Sequence, residues 1–211
     1  MISRFITDRW QVHDCVGESI MATSVWIAVL CMLLSYGRTQ QIDLTRIPLS
    51  GGADVVRAVL SKLDASGIFE HSGNADLTNV FLRDMAYVET SDGTDPDYLR
   101  GCAEGGIWKV TLVQFQNTKE FPRTSRWIHI YTAITSYLEQ DWRTVNYRDL
   151  AKPLYSGLTA RLYLTYVTTY NNIPPTIRHA IFWSDTFKGS RGVLQTWLTA
   201  TTRLQQIEGK S

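Results

Sequence analysis

Residues 84–110 read DMAYVETSDGTDPDYLRGCAEGGIWKV. They place Glu89, Asp92, Asp95 and Asp97 close together, ahead of a Gly-Gly-aromatic turn. Carboxylates grouped in this way suit three kinds of role. Two of them flanking a glycosidic bond would act as proton donor and as base or nucleophile. Alternating acids would also offer hard oxygen ligands to calcium, but the glycine and glutamate that an EF-hand loop requires at its sixth and twelfth positions are misplaced. Asp, Gly and Pro in SDGTDP also form turns in their own right.

Glu89 is set apart by the segment before it. Leu77, Val80, Phe81, Met85 and Val88 recur at helical spacing, and Phe81, Met85 and Glu89 stand at i, i+4 and i+8. Glu89 is therefore expected at the margin of an apolar helix face, near the helix C-terminus. Apolar neighbours and the negative end of the helix dipole would both raise its proton affinity, as a general acid requires. A solvated glutamate at a fraying helix end fits the same pattern. Further on, Gly105 and Gly106 allow close approach of backbone to a ligand or to another segment. Trp108 offers either a flat face for a sugar or the lid of a hydrophobic pocket around Glu89.

The elements that must hold these residues are helices. ADVVRAVLSKLDASG places Val55, Val56, Val59, Leu60 and Leu63 on one stripe and stops at Gly67. A second helix is predicted over Asp76–Glu89, with Asn74 or Asp76 as its cap. A third carries Trp127, Ile130, Tyr131, Ile134 and Leu138, capped by Thr124 or Ser125. Pro153 opens a long helix through LYSGLTARLYLTYVTTY, in which SGLTARLYL reads as a buried amphipathic segment, and Pro174-Pro175 open another through TIRHAIFWSDTF. A last helix runs from Val193 to Ile207. No strand pattern of comparable strength, repeat or low-complexity linker is present. The conspicuous irregular stretch is 90–106, and long loops in compact helical domains often serve function.

A helix ending in Val-Glu-Thr, a polar loop and then Gly-Gly-Ile-Trp-Lys-Val resembles the lysozyme-like superfamily, in its lytic transglycosylase and goose-type lysozyme branch. In that family the helix ends in Glu-Ser and the later turn reads Gly-Leu-Met-Gln followed by an aliphatic residue. Glu89-Thr90 matches the first element and Gly106 to Val110 the second. The match covers about 25 residues, and the rest of 54–207 agrees only as a succession of helices. The resemblance implies a mostly α, single lysozyme-like domain that cleaves the β-1,4 bond between N-acetylmuramic acid and N-acetylglucosamine in peptidoglycan, an antibacterial muramidase activity. Glu89 is then the general acid, Asp95 and Asp97 are candidates for a second carboxylate with Asp92 behind them, and Thr90, Gly105, Gly106, Ile107 and Trp108 line the substrate.

The chain departs from the family at two places. Lys109 replaces a Gln, which would set an ammonium beside Glu89 and favour its ionised form. Tyr170-Asn171 matches half of a downstream Tyr-Asn-Ala-Gly element, which brings Tyr170 in as a substrate contact, while Phe182-Trp183 would line the cleft equally well. The rival expectation is a catalytically inactive glycan-binding or regulatory protein on the same scaffold. A third is a purely structural, membrane-anchored helical protein.

The whole chain sets bounds on these readings. Its 211 residues suffice for one domain with a real core, and 44% hydrophobic and 19% charged residues are ordinary for a globular protein. Seven Trp and ten Tyr suit a thick core or a groove that stacks sugars. Residues 38–118 carry a net −4 and residues 119–211 a net +6. No basic run with interleaved aromatics argues for nucleic acid. His13, His71, His129 and His179 show no metal-ligand spacing, and no glycine loop cradles phosphate. No metal, cofactor or obligate protein partner is expected.

Residues 1–37 read as a leader and 38–53 as a connector. SIMATSVWIAVLCMLLSYG at 19–37 is uncharged, and its apolar run from Val25 to Leu34 is short for a membrane span of about 20 residues but suits a signal peptide. Ser35 and Gly37 precede a cut ahead of Arg38. Translation from Met21 would give a more compact signal. Secretion is the expectation, with membrane anchoring through 19–37 as the alternative. Cys15 and Cys31 would leave with the leader, so that Cys102 remains without an intramolecular partner.

Overall fold

The computed structural model describes residues 42–69, 75–100, 105–120, 124–168, 178–188 and 193–209. These residues are mostly helical, with no strand among them. Residues 1–41, with the expected leader and the first residues of the connector, lie outside the described residues, as do Cys102, Tyr170 and Pro174-Pro175. No described helix is long and apolar enough to cross a membrane. Residues Asp43–Ser211 form one compact unit, so the second half of the expected connector belongs to the folded body. The reason is local. Asp43 caps a 3₁₀ turn at Leu44–Arg46 and accepts Lys62 Nζ at 2.6 Å from the first helix.

The α-helices are α1 (Ala53–Ala65), α2 (Ala75–Thr90), α3 (Pro96–Arg100), α4 (Leu112–Asn117), α5 (Ser125–Leu138), α6 (Pro153–Val167), α7 (His179–Phe182) and α8 (Leu194–Ile207). Helix α7 continues as a π-helical turn over Trp183–Phe187. Two 3₁₀ turns, Trp142–Thr144 and Tyr147–Ala151, join α5 to α6. Helix α1 buries all five residues of its predicted stripe. Trp127, Ile130, Ile134 and Leu138 of α5 are buried with Tyr131 packed beside them, and Thr124 precedes the helix as expected.

Three sequence expectations are corrected. Helix α6 is buried as expected but is not amphipathic: from Pro153 to Leu162 every residue is buried, and so are Leu164 and Thr165. It runs through the middle of the molecule, packed on α1, α2 and α4. Its small and hydroxylated residues are tolerated because packing outweighs helix propensity, and Thr159 and Thr165 satisfy their hydroxyls on carbonyls one turn back. The helix expected from Pro174-Pro175 is seen only from His179, and its second half takes the π form. The loop 90–106 is less irregular than expected because Asp95 starts α3, its carboxylate accepting the Asp97 N–H at 2.8 Å.

The buried stripe of α2 is also displaced from the predicted one. Val80 is 43% exposed, while Phe81, Leu82, Met85 and Ala86 are fully buried. Glu89 and Thr90 continue that same face into the last helical turn, and α8 packs along α2. An aromatic group lies between them: Phe81 stacks on Trp197 with ring centroids 5.4 Å apart and meets His179 and Phe182 edge-on.

Candidate active site

Glu89 ends up buried, not at the margin, with 7% of its surface exposed. Both carboxylate oxygens are engaged. Trp183 donates its indole N–H to Oε1 at 2.8 Å, and Lys188 Nζ lies 2.6 Å from Oε2. The two donors come from one short segment, and the π turn explains how. At 3.6 residues per turn, residues five apart on an α-helix point about 140° away from each other. A π turn closes i to i+5, which stacks them instead, and the Lys188 N–H bonds the Trp183 carbonyl at 2.9 Å. Trp183 is held in the core against Trp197, with centroids 5.4 Å apart. Gln114 fixes the end of the turn by donating its side-chain N–H to the Phe187 carbonyl at 2.7 Å.

The residue after the glutamate locks the helix end to the glycine turn. Thr90 Oγ1 donates to the Ile107 carbonyl at 2.8 Å and accepts the Gly93 N–H at 2.9 Å. The Ala86 carbonyl, at 3.2 Å, is the weaker of its two acceptors. Beyond Thr90 the chain turns through Ser91, Asp92 and Gly93, all with positive φ. The two segments that the resemblance paired in sequence are therefore joined in space by one buried hydroxyl.

The glycine turn is built by packing. Gly105 and Gly106 have φ of 72° and 67°, and a Cβ on Gly106 would collide with the Leu150 carbonyl and the Ser156 side chain. Ser156, on α6, donates its hydroxyl to the Gly105 carbonyl at 3.1 Å and accepts the Trp108 N–H at 3.3 Å. Trp108 is wholly buried and donates its indole N–H to the Leu82 carbonyl at 2.8 Å. Gly157 makes room for its ring, which would stand 3.1 Å from a Cβ there. Trp108 is thus a core residue beneath the helix that carries Glu89, with no face for a sugar. Ile107 and Thr90 are equally enclosed, at 1% exposure each.

The remaining candidates separate into other roles. The cation on Glu89 is Lys188, not Lys109. Lys109 closes the glycine turn with φ 44° and an N–H bond to the Gly106 carbonyl at 2.9 Å. Asp95 caps α3, and exposed Asp97 occupies the first turn of that helix, where a carboxylate complements the dipole. Asp92 is buried and pairs with Arg83 at 2.5 Å, and Arg83 also holds Glu208 at 3.0 Å. Burial pushes the Asp92 carboxyl above the ordinary range, against the opposing pull of the Arg83 guanidinium. Tyr170 lies outside the described residues.

Sequence reasoning missed Lys188, and it named Trp183 only as a neighbour of the cleft. Neither spacing nor type marks them, because the π turn that brings them together breaks the helical period. Among the described residues no group of three or more His, Cys, Asp or Glu could hold a metal ion. Models of known protein families, curated proteins and solved structures were each compared with the chain, and none matches.

Proposed function

We propose that this chain is a peptidoglycan-cleaving muramidase in which Glu89 protonates the glycosidic oxygen of the β-1,4 bond between N-acetylmuramic acid and N-acetylglucosamine. The observation that carries the reading is a carboxyl buried at a helix end and oriented by the Trp183 indole N–H; the Lys188 ammonium on its other oxygen works against a proton donor and has to be displaced before Glu89 can act. Burying a charged group in this way is unfavourable unless it is paired, and a fold gains nothing in stability from it that a hydrophobic residue would not supply. A fixed carboxyl in a low-dielectric site is, in contrast, what proton transfer to a leaving alkoxide uses. The resemblance of Glu89-Thr90 and Gly106–Val110 to lysozyme-like proteins points the same way.

In this mechanism Glu89, protonated from solvent once Lys188 has left Oε2, gives that proton to the bridging oxygen as the C1–O bond breaks, and the sugar ring takes on oxocarbenium character. Asp95 is committed to a helix cap and Asp92 to Arg83. Completion without a second carboxylate is therefore favoured. The C6 hydroxyl of the muramoyl unit attacks C1 and returns its proton to Glu89, leaving a 1,6-anhydro end. Residues 19–37, read as an export signal, would deliver the protein to a substrate outside the membrane.

A second reading has its own support. Both Glu89 oxygens are occupied, which supports a glycan-binding protein without turnover as the second reading. Digestion of purified peptidoglycan by the full chain, with mass analysis of product ends, separates them. Anhydro ends are expected; reducing ends alone would mean hydrolysis, and an undigested polymer would favour the binding protein.

A further inference from the structure

The closed state of Glu89 raises a requirement that the proposed chemistry must meet. A proton donor has to touch the glycosidic oxygen, yet the Glu89 side chain is 4% exposed and each oxygen already has a partner. One partner has to leave. Trp183 cannot do so cheaply, because it is 3% exposed and packed against Trp197. The Lys188 side chain is 25% exposed, sits at the end of the π turn and has a flexible stem. Its backbone, by contrast, is pinned through its own N–H to Trp183 and through Gln114 on the preceding carbonyl. The ammonium can swing while its attachment stays fixed.

We propose that Lys188 is a latch on Glu89 that selects for acidic glycans. This rests on the muramidase reading above. An ammonium leaving a buried carboxylate loses a charge-assisted partner, and opening is favourable only if the incoming ligand supplies another anion. A glycan with a free carboxylate next to the scissile bond, as in a muramoyl unit whose lactyl group carries no peptide, does so. A neutral N-acetylated glycan must open the latch unaided. Lys188 is thus a specificity-determining residue acting through the exchange of Glu89 for a substrate carboxylate, and discrimination comes from the cost imposed on the neutral ligand.

The test uses the full chain, Lys188→Met and Lys188→Arg on two matched polymers: peptide-free muramoyl glycan strands with free lactyl carboxylates, and the same strands amidated. The wild type should cleave the acidic strands at least ~10-fold better in kcat/KM, the worth of one charge-assisted contact. Lys188→Met should bring the ratio close to one, chiefly by improving the amidated substrate, and Lys188→Arg should keep most of the preference. A wild type that cleaves both strands equally, or a preference unmoved by Lys188→Met, overturns the latch while leaving Glu89 as the acid. If none of the proteins cleaves either polymer, the muramidase reading fails and the latch fails with it.

Discussion

Lys188 Nζ stands 2.6 Å from Glu89 Oε2, across the end of one helix from the end of another. The pair is enclosed on the glutamate side and open on the lysine side, so its two members should respond differently to substitution. Lys188→Met leaves a buried carboxylate with the Trp183 N–H alone and should destabilise the fold by about 2 kcal/mol. Glu89→Gln keeps an acceptor for Trp183 but turns its NH₂ toward the ammonium, and should cost about 1–2 kcal/mol. The double variant should be more stable than the sum of the two by at least ~1 kcal/mol, since it removes both the orphaned charge and the opposed donors. Urea unfolding of the four proteins measures this; strict additivity would mean that the two side chains do not interact.

The Trp108 ring is buried under α2, and Trp108→Phe should therefore act on stability. A loss of about 2 kcal/mol is expected from the smaller ring and the missing bond to the Leu82 carbonyl. Glycan affinity of the folded variant should stay within twofold of wild type, measured by calorimetric titration. A large drop in affinity with unchanged stability would restore Trp108 as a sugar platform.

Gly106→Ala should be among the most damaging single changes in the chain. The φ of 67° disfavours any Cβ, and the space where it would lie is filled by Leu150 and Ser156. Destabilisation of at least ~3 kcal/mol is expected, readable as a lowered midpoint in denaturant. A variant as stable as wild type would show that the glycine turn is not packed as described.

Acid should loosen the anchor between the chain before α1 and α1 itself. Burial alone would raise the Asp43 carboxyl, but the hydrogen bonds from Lys62 and Thr45 and the Lys62 charge outweigh it and hold the group below 3.8. A depressed carboxylate contributes stability above its unfolded value and loses it as pH falls through the folded one. Asp43 is partly solvated, so the effect should be at most ~0.5 kcal/mol. Asp43→Asn should flatten the stability profile below about pH 4 and leave neutral activity unaltered. An unchanged acid limb would detach Asp43 from the anchor.

How far the sequence could be read depended on whether a feature obeys a single period. Val55 to Leu63 and Trp127 to Leu138 each repeat at helical spacing over several turns, and the helices are found where they were expected. Glu89 was legible because it continues the face of Phe81 and Met85. Its exact burial was not, since that depends on α8 and on the π turn, both remote in sequence. Lys188 was hidden for the same reason: a five-residue turn removes the register on which a reading of faces rests. Trp108 was ambiguous because a tryptophan beside two glycines looks the same whether the glycines admit a ligand or, as here, admit Ser156.

The role of Glu89 as the acid is decided by the rate of glycosidic cleavage by wild type and Glu89→Gln on the same purified peptidoglycan, with folding of both confirmed by circular dichroism. Anhydro-ended products are expected from the wild type, with a rate lower by ~10²–10⁴-fold in the variant, the usual contribution of general acid catalysis. Equal rates from the two proteins would contradict that role and assign Glu89 to the structure alone.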